Sequence, residues 1–169
     1  MLDRRTFEDI FRDHHAACLA FAVHYTGDLH EAEEVVQQVF LRLWEKRETI
    51  DIVGAMRSYL FAAIRNTAIS NWRKETVRQE KEQVAGDLHA AGGQVQSPAW
   101  ELERMYQRAL EVLPDRCREV FILSRQQQLK YAEIAEVMNI SVKTVENQMG
   151  KALKIMHKEL KEYLHVLLF

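Results

Sequence analysis

The residues best suited to chemistry lie near the C-terminus, in "NISVKTVENQMGKALKIMHKEL", Asn139 to Leu160. Placed on a helix at about 100° per residue, Val142, Val145, Met149, Ala152, Leu153, Met156 and Leu160 gather on one side. Lys143, Asn147, Gly150, Lys151 and Lys154 point the other way. Thr144 and Glu146 flank that outer face, and Gln148 lies nearer the core border. Amide side chains read base edges by hydrogen bonding, while Lys and Thr hold phosphates. Ser141 stands at the N-cap, where the free backbone amides of a helix start add a phosphate contact. Gly150 costs about 1 kcal/mol in a helix interior, and its missing side chain permits close approach to a duplex.

A polar face alone is ordinary for any amphipathic helix. What precedes this one sharpens the reading. "KYAEIAEVM" places Tyr131, Ile134, Ala135 and Met138 at helical spacing, and Asn139 interrupts it. A short helix, a tight turn and a second helix make a helix-turn-helix.

The rest of the chain must position that unit. It has 169 residues, 47% apolar and 28% charged, with only 6 Gly and 2 Pro, so long helices are expected. Residues 7–25 suit a largely buried helix through Ile10, Phe11, Leu19, Phe21, Ala22 and Tyr25, ending at Gly27. "DLHEAEEVVQQVFLRLWEK" starts with Asp28 as N-cap and Glu31 at the capping-box position. Its core stripe is Ala32, Val35, Val36, Val39, Phe40, Leu43 and Trp44. "KRETIDIVGAM" reads as a loop, and "RSYLFAAIRNTAISNWRKE" as a third helix with Leu60, Ala63, Ile64 and Thr67 inward. From Thr76 to Ser97 the periodicity fails in a Gln-, Ala- and Gly-rich stretch, the mark of a linker. After Pro98 helices resume, with Pro114 early in one of them. The expected fold class is all-α, two small helical domains at 1–75 and 98–169 joined by a flexible linker at 76–97.

Charge limits the function. The chain carries −2, and residues 98–169 carry only about +1, unlike an independent non-specific nucleic-acid binder. A partner must supply much of any DNA affinity. "HHAAC" brings His14, His15 and Cys18 together without a second ligand cluster, so neither a metal nor another cofactor is expected. No signal peptide or membrane span is apparent, and "HVLLF" at the end is too short to cross a bilayer. No paired carboxylates, nucleophile triad or phosphate loop suggests an enzyme.

Three stretches resemble one family. "EAEEVVQQVFLRLWEK", "SYLFAAIRNTAISNWRKE" and "LPDRCREVFILSRQQQLKYAEIAEVMNISVKTVENQMGKALKIM" are similar, in order and spacing, to the conserved regions of extracytoplasmic-function (ECF) sigma factors, the compact group of sigma-70-type initiation factors. The resemblance covers nearly the whole chain except the linker. It departs from the family at Gln38 and at Ser70-Asn71-Trp72, and again where Gln126-Gln127-Gln128 and Leu129 stand in place of an acidic residue and Gly.

The resemblance implies a cytoplasmic sigma factor without catalytic activity, made of a sigma-2 helical bundle and a sigma-4 helix-turn-helix domain. Glu33, Glu34, Gln37, Gln38 and Leu41 would meet the β′ clamp helices of core RNA polymerase. Arg57, Tyr59, Phe61, Arg65, Asn66, Ser70, Arg73 and Lys74 would melt and read the promoter −10 element, by stacking, charge and a pocket for a flipped base walled by "RETIDIV". Ser141, Lys143, Thr144, Glu146, Asn147, Gln148 and Lys151 would read the −35 element, while the same domain meets the polymerase β-flap. An anti-sigma factor is a further implied partner. The competing reading is a stand-alone helix-turn-helix regulator, which would bind its operator tightly without polymerase.

Overall fold

The computed structural model describes residues 2–50, 56–81 and 98–167, leaving aside the side chains at 79–81, 98–100 and 162–167. Among the described residues there are helices and no strands: α1 (Arg4–Thr26), α2 (Leu29–Glu45), α3 (Met56–Lys81), α4 (Pro98–Val112), α5 (Asp115–Arg125), α6 (Tyr131–Met138) and α7 (Val142–Leu167). They form two compact units, one from the helices before residue 82 and the other mainly from those after residue 97. Helix α3 runs on to Lys81, past the expected domain end at residue 75. Residues 82–97 of the expected linker lie outside the described residues, as do residues 51–55 of the expected loop.

In the first unit local chemistry sets the helix ends. Asp3 caps α1, its carboxylate accepting from the Thr6 N–H at 2.7 Å. That bond holds the Asp3 carboxyl below its usual range. Gly27 ends α1 at φ 68°, a left-handed conformation that costs glycine nothing. Asp28 then caps α2, accepting from the Glu31 N–H at 2.9 Å.

The core is where α1, α2 and α3 meet. Helix α2 buries Ala32, Val35, Val36, Val39, Phe40 and Leu43 as its pattern predicts, leaving Trp44 half-buried. Helix α3 buries Ser58, Leu60, Phe61, Ile64, Thr67 and Ala68, a wider arc than one stripe because it packs against both neighbours. Phe61 is 1% exposed and its ring lies 4.8 Å from Phe21.

Helix α1 is less buried than expected. Its apolar positions Phe7, Phe11, Cys18 and Ala22 form one line at helical spacing, with His15 among them. Cys18 and Ala22 are buried, whereas Phe7 is half-buried and Phe11 is 42% exposed. Burial pushes the Cys18 thiol up to about 12, which leaves it protonated and inert.

In the second unit α4 and α5 pack on α7. Leu110, Leu113, Cys117, Val120, Leu123, Val145, Met149, Ala152 and Met156 are buried. Three expected inward residues of α7 are not: Leu160 is half-buried, and Val142 and Leu153 are 42% and 40% exposed. The latter two lie at the edge of the stripe centred on Val145, beyond the strip that α4 and α5 cover.

Candidate nucleic-acid interface and an aromatic groove

The turn before α7 is built by short-range bonds. Lys130 N–H donates to the Glu133 carboxylate at 2.7 Å, fixing the start of α6. Asn139 takes φ 53°, which Asn tolerates better than most side chains, and Ile140 N–H closes the turn on the Ala135 carbonyl at 3.0 Å. Ser141 Oγ accepts from the Thr144 N–H at 3.0 Å and lies 2.8 Å from Thr144 Oγ1. The N-cap read from the sequence is therefore present.

Beyond it, Lys143, Glu146, Asn147 and Lys151 are exposed, and Thr144 and Gln148 are half-buried. Lys143 and Glu146 pair at 3.1 Å, an exposed contact worth little that opens readily to a ligand. A Cβ built on Gly150 would meet nothing within 4 Å, so open space flanks α7 there. Gln148 is engaged differently, because its Oε1 accepts from the buried Cys117 thiol on α5 at 2.9 Å.

On α3 the eight expected −10 residues do not share one face. Tyr59, Asn66 and Arg73 repeat every seven residues, and Ser70 falls beside them. Asn66, Ser70 and Arg73 are exposed and Tyr59 is half-buried. Lys74 is exposed nearby. Arg57 and Arg65 are half-buried and turned away from that face by the same spacing. The Arg57 guanidinium sits 5.5 Å over the Phe61 ring. Phe61 itself is a core residue, closed off by Phe21, and is not available to stack on a base.

The uncovered half of the α1 stripe meets α2 in an open groove of about 750 Å³. Phe7, Phe11, Phe40 and Trp44 form its apolar floor and walls. Their rings pack edge-on: Phe7 lies 5.0 Å from Trp44 and Phe11 lies 4.9 Å from Phe40. His15 extends the set, 4.6 Å from Phe11. Glu33, Gln37 and Leu41 also line it, with Leu41 55% exposed. Of the five residues expected to meet polymerase, these three reach the groove. Glu34 and Gln38 do not line it, and Glu34 lies 3.5 Å from His30.

Sequence reasoning missed Phe7, Phe11, His15 and Trp44 as surface features because their spacing is that of a core stripe. Trp72, 66% exposed on α3, was noted only as a departure from a pattern. No group of three metal-ligating side chains occurs among the described residues, and none of their helices is long and apolar enough to cross a membrane.

A three-helix bundle with a polar-basic helix face, followed by a helix-turn-helix unit with its own polar outer face, defines a two-module DNA-binding protein. Residues 10–78 match the family model for sigma-70 region 2, and residues 103–156 that for sigma-70 region 4. The chain is 32% identical over 157 residues to the ECF RNA polymerase sigma factor SigL of Mycobacterium tuberculosis, covering 89% of this chain and 86% of that one. In fold it is similar to the sigma factor RpoE of Bartonella quintana, solved with the anti-sigma factor NepR (TM-score 0.72, 22% identity, 92% and 96% of the two chains). It is also similar to CnrH, solved with the cytosolic domain of CnrY (TM-score 0.65, 23% identity, 95% and 90%). The chain belongs to the ECF sigma factors of the sigma-70 type. It is a factor for transcription initiation, and the stand-alone regulator is not favoured.

Proposed function

We propose that this sigma factor docks on core RNA polymerase through the α1–α2 groove and reads a promoter with two separate helix faces. The observation that carries this is the groove. Glu33, Gln37 and Leu41 line a cleft of four aromatic rings, so an apolar helix edge laid there is flanked by polar partners. The β′ clamp helices are the occupant proposed, and the β-flap is the partner of the second unit. The −10 face is then Tyr59, Asn66, Ser70, Arg73 and Lys74, and the −35 face is Ser141, Lys143, Thr144, Glu146, Asn147, Gln148 and Lys151. The domain limits follow the same division, with the first domain extended by α3 to Lys81. The protein works in the cytoplasm and performs no chemistry of its own.

The near-neutral charge fits this division of labour. Few phosphates are neutralised by the free chain, so DNA affinity on its own is weak. Two reading modules held on one polymerase gain through effective concentration. An anti-sigma factor is proposed as the competing partner, because the similar RpoE was solved with the anti-sigma factor NepR.

Two substitutions separate the roles. Leu41→Asp should weaken core polymerase binding by about tenfold or more, since 1.4 kcal/mol is roughly tenfold, while leaving thermal unfolding unchanged. Lys151→Ala should weaken −35-dependent transcription and leave core affinity as it is. Equal loss of polymerase affinity in both variants sinks the assignment.

A further inference from the structure

Gln148 holds an unusual place on α7. It lies at the border between the core stripe and the polar outer face, half-buried, one residue from Asn147 and one turn from Lys151. Its Oε1 is 2.9 Å from Sγ of Cys117, which is 31 residues earlier in sequence and 2% exposed. Burial raises the pKa of that thiol, and the Lys151 charge only partly opposes the shift. The thiol is therefore protonated at neutral pH and has a hydrogen to donate.

An amide side chain has one accepting end and one donating end. When the oxygen is held against the core, the amino group is the end left to face outward. A free glutamine pairs with adenine in the major groove by using both ends at once, accepting from N6 and donating to N7. A glutamine whose oxygen is turned inward to a buried thiol cannot aim both ends at one base. It can still donate to guanine N7 and O6 or to thymine O4, whereas on adenine it keeps only the N7 contact and leaves the N6 amino group unmatched.

We propose that Cys117 is a positioning residue that holds the Gln148 amide so that it presents donors alone to DNA, which biases one −35 position towards guanine or thymine and against adenine. The proposal rests on the reading of α7 as the −35 helix. Cys117 touches no DNA in this scheme; it acts only through Gln148.

The test uses holoenzyme reconstituted from core polymerase and the full chain. Run-off transcription is measured on templates carrying each of the four base pairs at every −35 position. Gln148→Ala first locates the position that this residue reads. There, wild-type protein should favour guanine or thymine over adenine. Cys117→Ala releases the amide and should move preference towards adenine by about threefold or more, given what one bidentate base contact contributes. Cys117→Val, closer in volume, should do the same if the alanine variant folds poorly. Cys117→Ser keeps a hydroxyl donor and should restore the wild-type profile.

The outcomes are distinct. If transcription by the wild type ignores the −35 sequence, the reading of α7 is wrong and this proposal falls with it. If −35 dependence is present but Gln148→Ala changes no position, or if Cys117→Ala and Cys117→Val both keep the wild-type base profile, the positioning role alone is wrong. A uniform loss on all templates, shared by the serine variant, reduces Cys117 to a packing residue and also overturns it.

Discussion

Arg118 on α5 holds the end of α4 through Leu110, its Nε donating to the Leu110 carbonyl at 2.8 Å. Its Nη2 also donates to the carbonyls of Glu111 and Leu113, at 2.7 and 2.9 Å. The last carbonyls of a helix have no partners within it. One guanidinium here bonds two of them, together with the Leu113 carbonyl just past the helix end, and fixes the corner between α4 and α5. Arg118→Ala should destabilise the second unit by about 1–3 kcal/mol, the range for leaving partly buried acceptors unpaired. Arg118→Lys should recover only part, because an ammonium cannot spread its donors as a planar fork does. Urea unfolding followed by circular dichroism measures both.

Two neighbouring aromatic residues of α3 should respond differently to truncation. Phe61 is closed in the core against Phe21, so Phe61→Ala should cost roughly 3–5 kcal/mol of stability. Tyr59 is half-buried on the face that carries Asn66 and Arg73. Tyr59→Phe should leave stability nearly unchanged, and Tyr59→Ala should reduce promoter opening well before it affects folding. Permanganate reactivity of the −10 region reads the opening, and thermal unfolding reads the fold.

Gln128 adopts φ 56°, in the left-handed region, with its side chain exposed. A non-glycine residue there costs about 1–2 kcal/mol, and glycine removes that strain at some cost in unfolded-state entropy. Gln128→Gly should therefore stabilise the second unit by roughly 0.5–1 kcal/mol. A fall in the urea midpoint would contradict the backbone argument. Gln127, by contrast, is buried, and its truncation should destabilise.

Burial pushes the His14 imidazole below its ordinary value, Arg57 adds to the shift, and Asp13 opposes it. The unfolded chain then takes up a proton at higher pH than the folded one. Stability contributed by this group is complete above the unfolded pKa of about 6.5 and is lost as pH falls through it. His14→Gln should flatten stability between about pH 7 and pH 5 relative to wild type. An identical slope in both proteins would remove His14 as the cause.

Much of this architecture was legible because its determinants are local. Asp28 and Ser141 cap helices through bonds to residues three positions on, and sequence spacing alone exposes such pairs. The core stripe of α2 follows from one periodic pattern. What could not be read depends on a third element. Phe61 is buried because α3 has two neighbours, not one. Phe11 is exposed because the line of apolar residues on α1 continues past the buried part of the bundle, and Val142 and Leu153 lie outside the strip that neighbours cover. The Cys117–Gln148 bond joins residues 31 positions apart and leaves no pattern at all.

The groove of Phe7, Phe11, Phe40 and Trp44 has a thermal consequence. In the free protein Phe7, Phe11 and Trp44 are partly wetted, and a partner that covers them returns that water to bulk. Association through such a surface carries a negative heat-capacity change. Its enthalpy therefore becomes more favourable on warming, and a van 't Hoff plot of the complex curves instead of running straight. Partner exchange at the groove, as proposed, would follow a temperature scale set by its wetted aromatic rings, separate from the salt scale of DNA binding.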